Sequence, residues 1–216
     1  MAQGKEEPGP YPNAEEARRA LLTAVLRMSG ARGYRQLTVD ELVSASGTSD
    51  IRFRELFESL EDCYATAYEE WADGFWRQLQ AACGEADGWP SRARGAFEWL
   101  VRYLREEPDT ARGAIAEAPA AGARVQAARR DLLERLSHAV DSARRETFPS
   151  RHSPPPSTAL FIVGGIAWSV ERTLKYPLEE QLESCVADLV FFVIRPYFGE
   201  EAAAAERAKL EDRLGP

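Results

Sequence analysis

Side chains able to bind a charged ligand cluster between residues 35 and 55, where arginines stand among hydroxyl residues. Arginine presents a planar fork of donors that fits phosphate oxygens and the edge of guanine, and hydroxyl groups donate to similar acceptors. The segment therefore favours recognition of an anionic partner over bond-making chemistry. The candidate contact residues are Arg35, Thr38, Thr48, Ser49, Asp50, Ile51, Arg52, Arg54 and Glu55.

Constellations that would support catalysis or metal binding are absent from the sequence. His138 and His152 have no carboxylate or cysteine at a motif spacing, and acidic pairs such as Glu69-Glu70 are typical of solvated helix faces. No glycine-rich phosphate loop, HExxH or GxSxG motif occurs. We therefore predict that the chain is not an enzyme and needs no cofactor or metal.

Two very short helices separated by a glycine turn must position the candidate residues. Thr38 and Glu41 form a capping-box pattern, Gly47 suits a left-handed helix end, and Thr48 or Ser49 can cap the next helix. This arrangement predicts a helix-turn-helix, whose second helix enters the DNA major groove. The alternative is an ordinary corner inside an all-helical protein. A helical apolar pattern upstream, ending at Gly33, favours a three-helix unit with its own core.

The stretch from Leu21 to Tyr64 resembles the DNA-binding domain of tetracycline-repressor (TetR/AcrR-type) bacterial regulators. The matching elements are Gly33-Tyr34, Thr38-Val39, the turn 46–49, Phe57 before Ser59, and 61–64. A second patch, with Gly164-Gly165-Ile166, Asp188-Leu189-Val190 and 196–199, is similar to the C-terminal domain of many members. The resemblance implies an all-α fold with a helical bundle that binds a ligand and dimerises.

The recognition helix departs from the family pattern. Asp50, Ile51 and Arg52 stand where members usually have Lys-Gly-Thr, and Leu60 replaces a lysine that contacts phosphate. From residue 13 to residue 71 there are seven basic and eleven acidic residues, a net charge of −4. Because DNA affinity depends on neutralised phosphates, weak or salt-sensitive binding is expected. The alternative function is a TetR-like ligand-binding or protein-interaction module that has lost DNA binding.

Beyond residue 59 the sequence predicts helices nearly throughout. The expected helices are about 60–82, 92–107, 108–118, 119–147, 157–176 and 177–198, with a proline-rich linker at 148–156. We predict a disordered N-terminal arm at 1–12, a DNA-binding domain at 13–59, an effector-binding and dimerisation domain at 60–199, and a charged tail at 200–216 that forms a fraying helix.

The predicted bundle offers two functional surfaces. Glycines in one helix and an apolar stripe in the last one suggest either monomer core or a close-packed homodimer interface. The residues predicted for that interface are Gly164, Gly165, Leu182, Val186, Leu189 and Val193. Aromatic side chains at helical spacing are usually core, yet several together can line a pocket. The residues predicted to hold a small hydrophobic effector are Tyr68, Trp71, Phe75, Trp99, Tyr103 and Trp168.

Bulk composition agrees with this interpretation. The 216 residues are 44% hydrophobic and carry a net charge of −8, which argues against a general nucleic-acid coat or an anionic membrane partner. Three widely spaced cysteines form no disulfide pattern, and no targeting or membrane-spanning segment is evident. The cysteine pattern suggests a cytoplasmic protein. The resemblance to TetR-type regulators implies a repressor that binds an operator in double-stranded DNA as a homodimer and is released by a small hydrophobic effector.

Overall fold

The structure, a computed structural model, describes residues 13–84, 88–147, 154–176 and 182–214. These ranges are helical and contain no strand, so the predicted all-α class is confirmed. The predicted arm at 1–12 and residues 148–153 of the predicted linker lie outside them. The helices are α1 Ala14–Arg32, α2 Val39–Ser46, α3 Asp50–Leu56, α4 Leu60–Cys83, α5 Trp89–Glu106, α6 Pro108–Ala111, α7 Ala123–Thr147, α8 Thr158–Lys175 and α9 Leu182–Leu214.

Two compact units make up the chain. Unit 1 contains Met1–Trp71 with Pro108–Ala128, and unit 2 contains Ala72–Glu107 with Arg129–Pro216. These units do not follow the boundaries predicted at residues 59 and 199. The first part of α4 belongs to the same unit as α1, α2 and α3, and the end of α9 belongs to the same unit as α5.

Helices α2, α3 and α4 begin, and α2 ends, where their capping residues predict. Thr38 and Glu41 form both hydrogen bonds of the capping box at the start of α2. Gly47 ends α2 in the left-handed region, with φ of 68°, and Ser49 Oγ caps α3 by accepting from the Arg52 N–H at 3.2 Å. Ser59 Oγ accepts from the Asp62 N–H at 3.1 Å at the start of α4. Local polar groups thus fix the turn between α2 and α3.

In unit 1, α1 crosses the segment that follows α5 at very short range. A Cβ placed on Gly30 would lie 1.8 Å from the Asp109 carbonyl oxygen, and one on Gly113 would lie 2.0 Å from the Leu26 carbonyl oxygen. Tyr64 of α4 donates a hydrogen bond from Oη to the Gly113 carbonyl at 2.5 Å. Backbone contact at two glycines therefore fastens this segment to the end of α1.

The segment between α5 and α7 is less regular than the sequence predicts. Instead of one helix at 108–118, α6 gives way to a π-helical turn at Arg112–Ala116 and a 3₁₀ turn at Ala118–Ala120. The next helix begins at Ala123 rather than Pro119, because Gly122 has φ of 93° and breaks the helical path.

In unit 2, the predicted fraying tail is instead packed against α5. Helix α9 continues to Leu214 across a break at Gly199, where φ is 84°. Ala203, Glu206 and Leu210 are buried beyond that break. Arg94 of α5 donates from Nε to Glu206 Oε2 at 2.7 Å. The C-terminal segment is therefore part of the core of unit 2, because its apolar stripe and one buried carboxylate find partners on α5.

Candidate nucleic-acid interface

Helix α3 is anchored in unit 1 by one face and exposed on the other. Phe53 and Phe57 are 2% and 5% exposed, with ring centroids 5.7 Å apart. Ile51, Arg54 and Glu55 lie three and four positions apart on the opposite, exposed face. The helix thus presents a continuous outer surface of the size that a major groove accepts.

The turn before α3 fixes its starting direction. The Thr48 N–H donates to the Val43 carbonyl at 3.1 Å, and the Gly47 N–H donates to the Ser44 carbonyl at 3.3 Å. The Thr48 and Ser46 hydroxyl oxygens are 2.8 Å apart and share a hydrogen bond. Because the hydroxyl and backbone groups are engaged within the turn, it holds α3 in one orientation.

The two arginines of α3 each form an ion pair within the helix. Arg52 Nη1 lies 2.7 Å from Glu55 Oε2, and Arg54 Nη2 lies 2.9 Å from Asp50 Oδ2. The side chains of all four residues are at least 38% exposed. Exposed pairs of this kind contribute less than about 1 kcal/mol, so a competing phosphate can displace them. The helix nevertheless offers no net positive charge to DNA.

The residues predicted to contact phosphate lie at the entrance to α2. Thr38 Oγ1 donates to Glu41 Oε2 at 3.0 Å, and Arg32 Nη1 lies 3.3 Å from Glu41 Oε1. Arg35 is exposed in the 3₁₀ turn Tyr34–Gln36, and none of the described residues pairs with it. Arg32, Arg52 and Arg54 are therefore each paired with a carboxylate, whereas Arg35 remains available.

Two residues that sequence reasoning missed, Glu117 and Gly113, hold the segment around Tyr34 in place. Glu117 Oε2 accepts a hydrogen bond from the Tyr34 N–H at 2.9 Å, next to the turn that carries Arg35. Gly113 accepts from Tyr64, whose ring lies 4.7 Å from that of Tyr34. Burial, followed by the charge of Glu61, raises the pKa of Tyr34. No motif marks Gly113 or Glu117, because both act through contacts distant in sequence.

Cys63 is a structural side chain within unit 1. It is fully buried, and burial with the nearby Asp62 carboxylate raises its pKa to about 12, while Arg18 lowers it slightly. A thiol with that pKa stays protonated and unreactive at neutral pH. This supports the interpretation of Cys63 as a small buried hydrophobe.

Within each unit, some of the residues predicted to bind the effector have rings in contact. Tyr68 and Trp71 of unit 1 have ring centroids 5.4 Å apart. In unit 2, Phe75 lies 5.0 Å from Trp99 and 5.9 Å from Tyr103, and the last two rings are stacked at 5.4 Å. Trp168 is separate, because it is 64% exposed on α8 with the Arg172 guanidinium 5.9 Å from its ring.

The residues predicted for the dimer interface differ in exposure. Val186, Leu189 and Val193 are buried within the single chain, so the prediction that they face a partner needs correction: this stripe of α9 belongs to the protomer core. Gly164 and Gly165 are exposed on α8, and a Cβ on either would meet nothing within 4 Å. The side chain of Leu182 lies outside the described part of the structure.

An apolar surface surrounds those two glycines. We call it the α8 face, and it consists of Leu160, Phe161, Gly164, Gly165 and Trp168. Its large side chains are at least 60% exposed in the single chain. Their helical spacing places these five residues on one side of α8.

Comparisons with known proteins place this geometry in a fold family. The fatty acid degradation regulator FadR from Bacillus halodurans has a TM-score of 0.71 and 14% identity, over 88% of this chain and 97% of its own. TylP, a TetR regulator from Streptomyces fradiae, has a TM-score of 0.66 and 16% identity, over 94% and 100%. This chain has the TetR-family fold. A FadR from Bacillus subtilis, in complex with stearoyl-CoA, has a TM-score of 0.67 and 12% identity, over 84% and 98%.

The TetR fold is the extent of what these likenesses establish. No protein-family model matches the sequence, and no curated protein is significantly similar to it. The roles of individual residues in this TetR fold must therefore come from their own geometry. Within the described ranges, no group of three His, Cys, Asp or Glu side chains could hold a metal ion. No helix in those ranges is long and apolar enough to cross a membrane.

Proposed function

We propose that this protein is a homodimeric transcriptional regulator, a repressor in the bacterial cytoplasm, that binds a palindromic operator through α3. The observation that carries the proposal is the construction of α3. The helix follows a left-handed turn at Gly47, is anchored by Phe53 and Phe57, and leaves its outer face exposed. That arrangement suits a recognition helix in the major groove, with half-sites about one helical turn of DNA apart.

DNA binding would require the arginines of α3 to exchange partners. Ser49, Arg52 and Arg54 are positioned for bases and nearby phosphates, and Arg35 and Thr38 for the backbone. Arg52 and Arg54 must first leave Glu55 and Asp50, at 2.7 and 2.9 Å. Because the carboxylates remain close to the DNA and offset the charge of the arginines, we expect modest affinity.

The proposed dimer uses the α8 face. A glycine inside a helix costs about 1 kcal/mol relative to alanine, and two adjacent glycines need compensation from close packing. No described residue of the chain lies within 4 Å of a Cβ placed on Gly164 or Gly165. A second copy crossing at these glycines would supply that packing and cover Leu160, Phe161 and Trp168.

A small hydrophobic or aromatic effector is proposed to release the operator. The aromatic cluster of Phe75, Trp99 and Tyr103 in unit 2 supplies apolar ring faces and two polar tips. Since the B. subtilis FadR structure contains stearoyl-CoA, acyl-CoA thioesters are sensible first probes, followed by planar aromatics. A coupling of about 1–3 kcal/mol between effector and DNA would be sufficient. Effector binding should raise the melting temperature, and Tyr103→Ala should reduce that shift.

Selection of double-stranded DNA from a random pool, at low and moderate salt, tests the central proposal. We expect a two-fold symmetric site. Arg52→Ala should weaken binding to it by about 1–3 kcal/mol if Arg52 reads a base edge. Arg102→Ala, which removes an exposed arginine from α5 in unit 2, is the matched control and should leave affinity unchanged. Equal affinities for both variants and wild type would reject the base-reading role of Arg52.

A second candidate is favoured by the charges around α3. The internal ion pairs and the net charge of −4 over residues 13–71 suit a ligand-binding or protein-interaction module that no longer binds DNA. The same selection separates the two functions. Failure to enrich any sequence at low salt, from a protein that still responds to effector, would support the module.

A further inference from the structure

The outer face of α3 carries an apolar side chain that the chain leaves uncovered. Ile51 is 58% exposed, whereas Phe53 on the same helix is 2% exposed. Isoleucine is stiff at χ1, so it loses little rotamer freedom when a partner covers it. The exposed Ile51 side chain is therefore preorganised for an apolar contact with a partner.

The charged groups around Ile51 narrow the choice of partner. Arg54 and Glu55 lie one helical turn beyond Ile51, and both are paired, with Asp50 and Arg52. The outer surface of α3 thus presents one apolar side chain, and the paired charges around it carry no net charge. Among the atoms that line a major groove, the matching apolar group is the 5-methyl of thymine.

We propose that Ile51 determines operator specificity by packing against a thymine methyl group in each half-site. The inference rests on the proposed DNA-binding function and names the base that α3 reads. Arginines in such a helix usually favour guanine, but here they must leave a carboxylate before they can contact a base. The contact of Ile51 needs no such exchange. The apolar contact is therefore available as soon as α3 enters the groove.

Deoxyuracil scanning of the selected operator tests the contact directly, because uracil lacks only the methyl group. Each thymine is replaced in turn together with its symmetry-related thymine in the other half-site, and the affinities of the full-length wild type and Ile51→Ala are compared. Burying one methyl corresponds to about fourfold in affinity, so both half-sites together should give about fifteenfold. Wild type should lose this at one symmetric position. Ile51→Ala should bind the thymine and uracil operators equally at that position.

Folding does not confound the comparison. Ile51 is exposed, and alanine has the higher helix propensity, so the variant should retain the helical content of wild type. If wild type shows no uracil-sensitive position, or Ile51→Ala keeps the same sensitivity, the inference is overturned while the DNA-binding proposal stands. If no operator is selected at all, both fail together.

Discussion

Two pairs of helical glycines show how differently the two units use the same residue. In unit 1, Gly30 and Gly113 are surrounded by backbone, with added Cβ atoms only 1.8 and 2.0 Å from carbonyl oxygens. In unit 2, Gly164 and Gly165 face open space to at least 4 Å. The first pair is compensated within the chain. The second is not, and the missing compensation is our physical argument for a partner copy.

The same contrast applies to larger side chains. In unit 1, Phe53 anchors α3 at 2% exposure, while in unit 2 Phe161 stands on the α8 face at 76% exposure. Composition alone does not distinguish these cases, because both are aromatic residues in amphipathic helices. The difference is whether the chain supplies a second surface.

Gly30→Ala should produce the largest effect. Its Cβ would meet the Asp109 carbonyl oxygen at 1.8 Å, and neither backbone can yield without separating α1 from α6. We expect a loss of about 3 kcal/mol in the free energy of unfolding, measured with urea. Gly74→Ala is the control, since its Cβ meets nothing within 4 Å. That control should gain about 0.5–1 kcal/mol. Equal stability of the two variants would contradict the close crossing.

Arg94→Met should give the next largest loss in the free energy of unfolding, because it removes a partner of the buried Glu206 between α5 and α9. Glu206 is 6% exposed and would keep only Lys209 as a charged partner, so we expect a loss of about 2 kcal/mol at neutral pH. Glu206→Gln in the same background should recover part of it. If Arg94→Met were neutral at pH 7, the C-terminal segment would not depend on this pair.

The pH dependence of that loss has a defined sign. Burial opposes ionisation of Glu206, but hydrogen bonds from Lys209 and Arg94 outweigh it, so its pKa lies below the ordinary value. A lowered folded-state pKa stabilises the protein above the unfolded pKa, and that contribution disappears as pH falls through the folded value. The difference between wild type and Arg94→Met should therefore shrink below about pH 4. A difference that is constant from pH 7 to pH 3 would contradict this.

Gly164→Leu should weaken self-association without damaging the protomer. Leucine has room in the isolated chain but would hold two α8 faces apart, so the dimer dissociation constant should rise at least about tenfold, or 1.4 kcal/mol. Sedimentation equilibrium measures it, with Gly74→Leu as the matched control. A wild type that stays monomeric at high micromolar concentration would remove the partner copy from the account.

The sequence predicts features that depend on neighbouring residues and does not predict contacts between segments far apart in the chain. The capping box at Thr38, the αL position at Gly47 and the Ser49 cap were all predictable, because each depends on residues within three or four positions. The π-helical turn and the close approach of Gly113 to Leu26 were not, since they arise between segments about ninety residues apart. The stripe of Val186, Leu189 and Val193 was recognised as apolar but assigned to a partner. Periodicity identifies a buried face without revealing what buries it.

Glu55→Gln should have the smallest effect, and the effect should be an increase in affinity for DNA. Removing this carboxylate releases Arg52 from a 2.7 Å pair and takes a negative charge away from the phosphates. We expect affinity for the selected operator to rise about threefold at low salt, with a salt dependence steeper by about one ion. Glu201→Gln, an equal charge change at an exposed position of α9, should do neither. A fall in affinity would mean that Glu55 itself accepts from a base and that Arg52 only positions it.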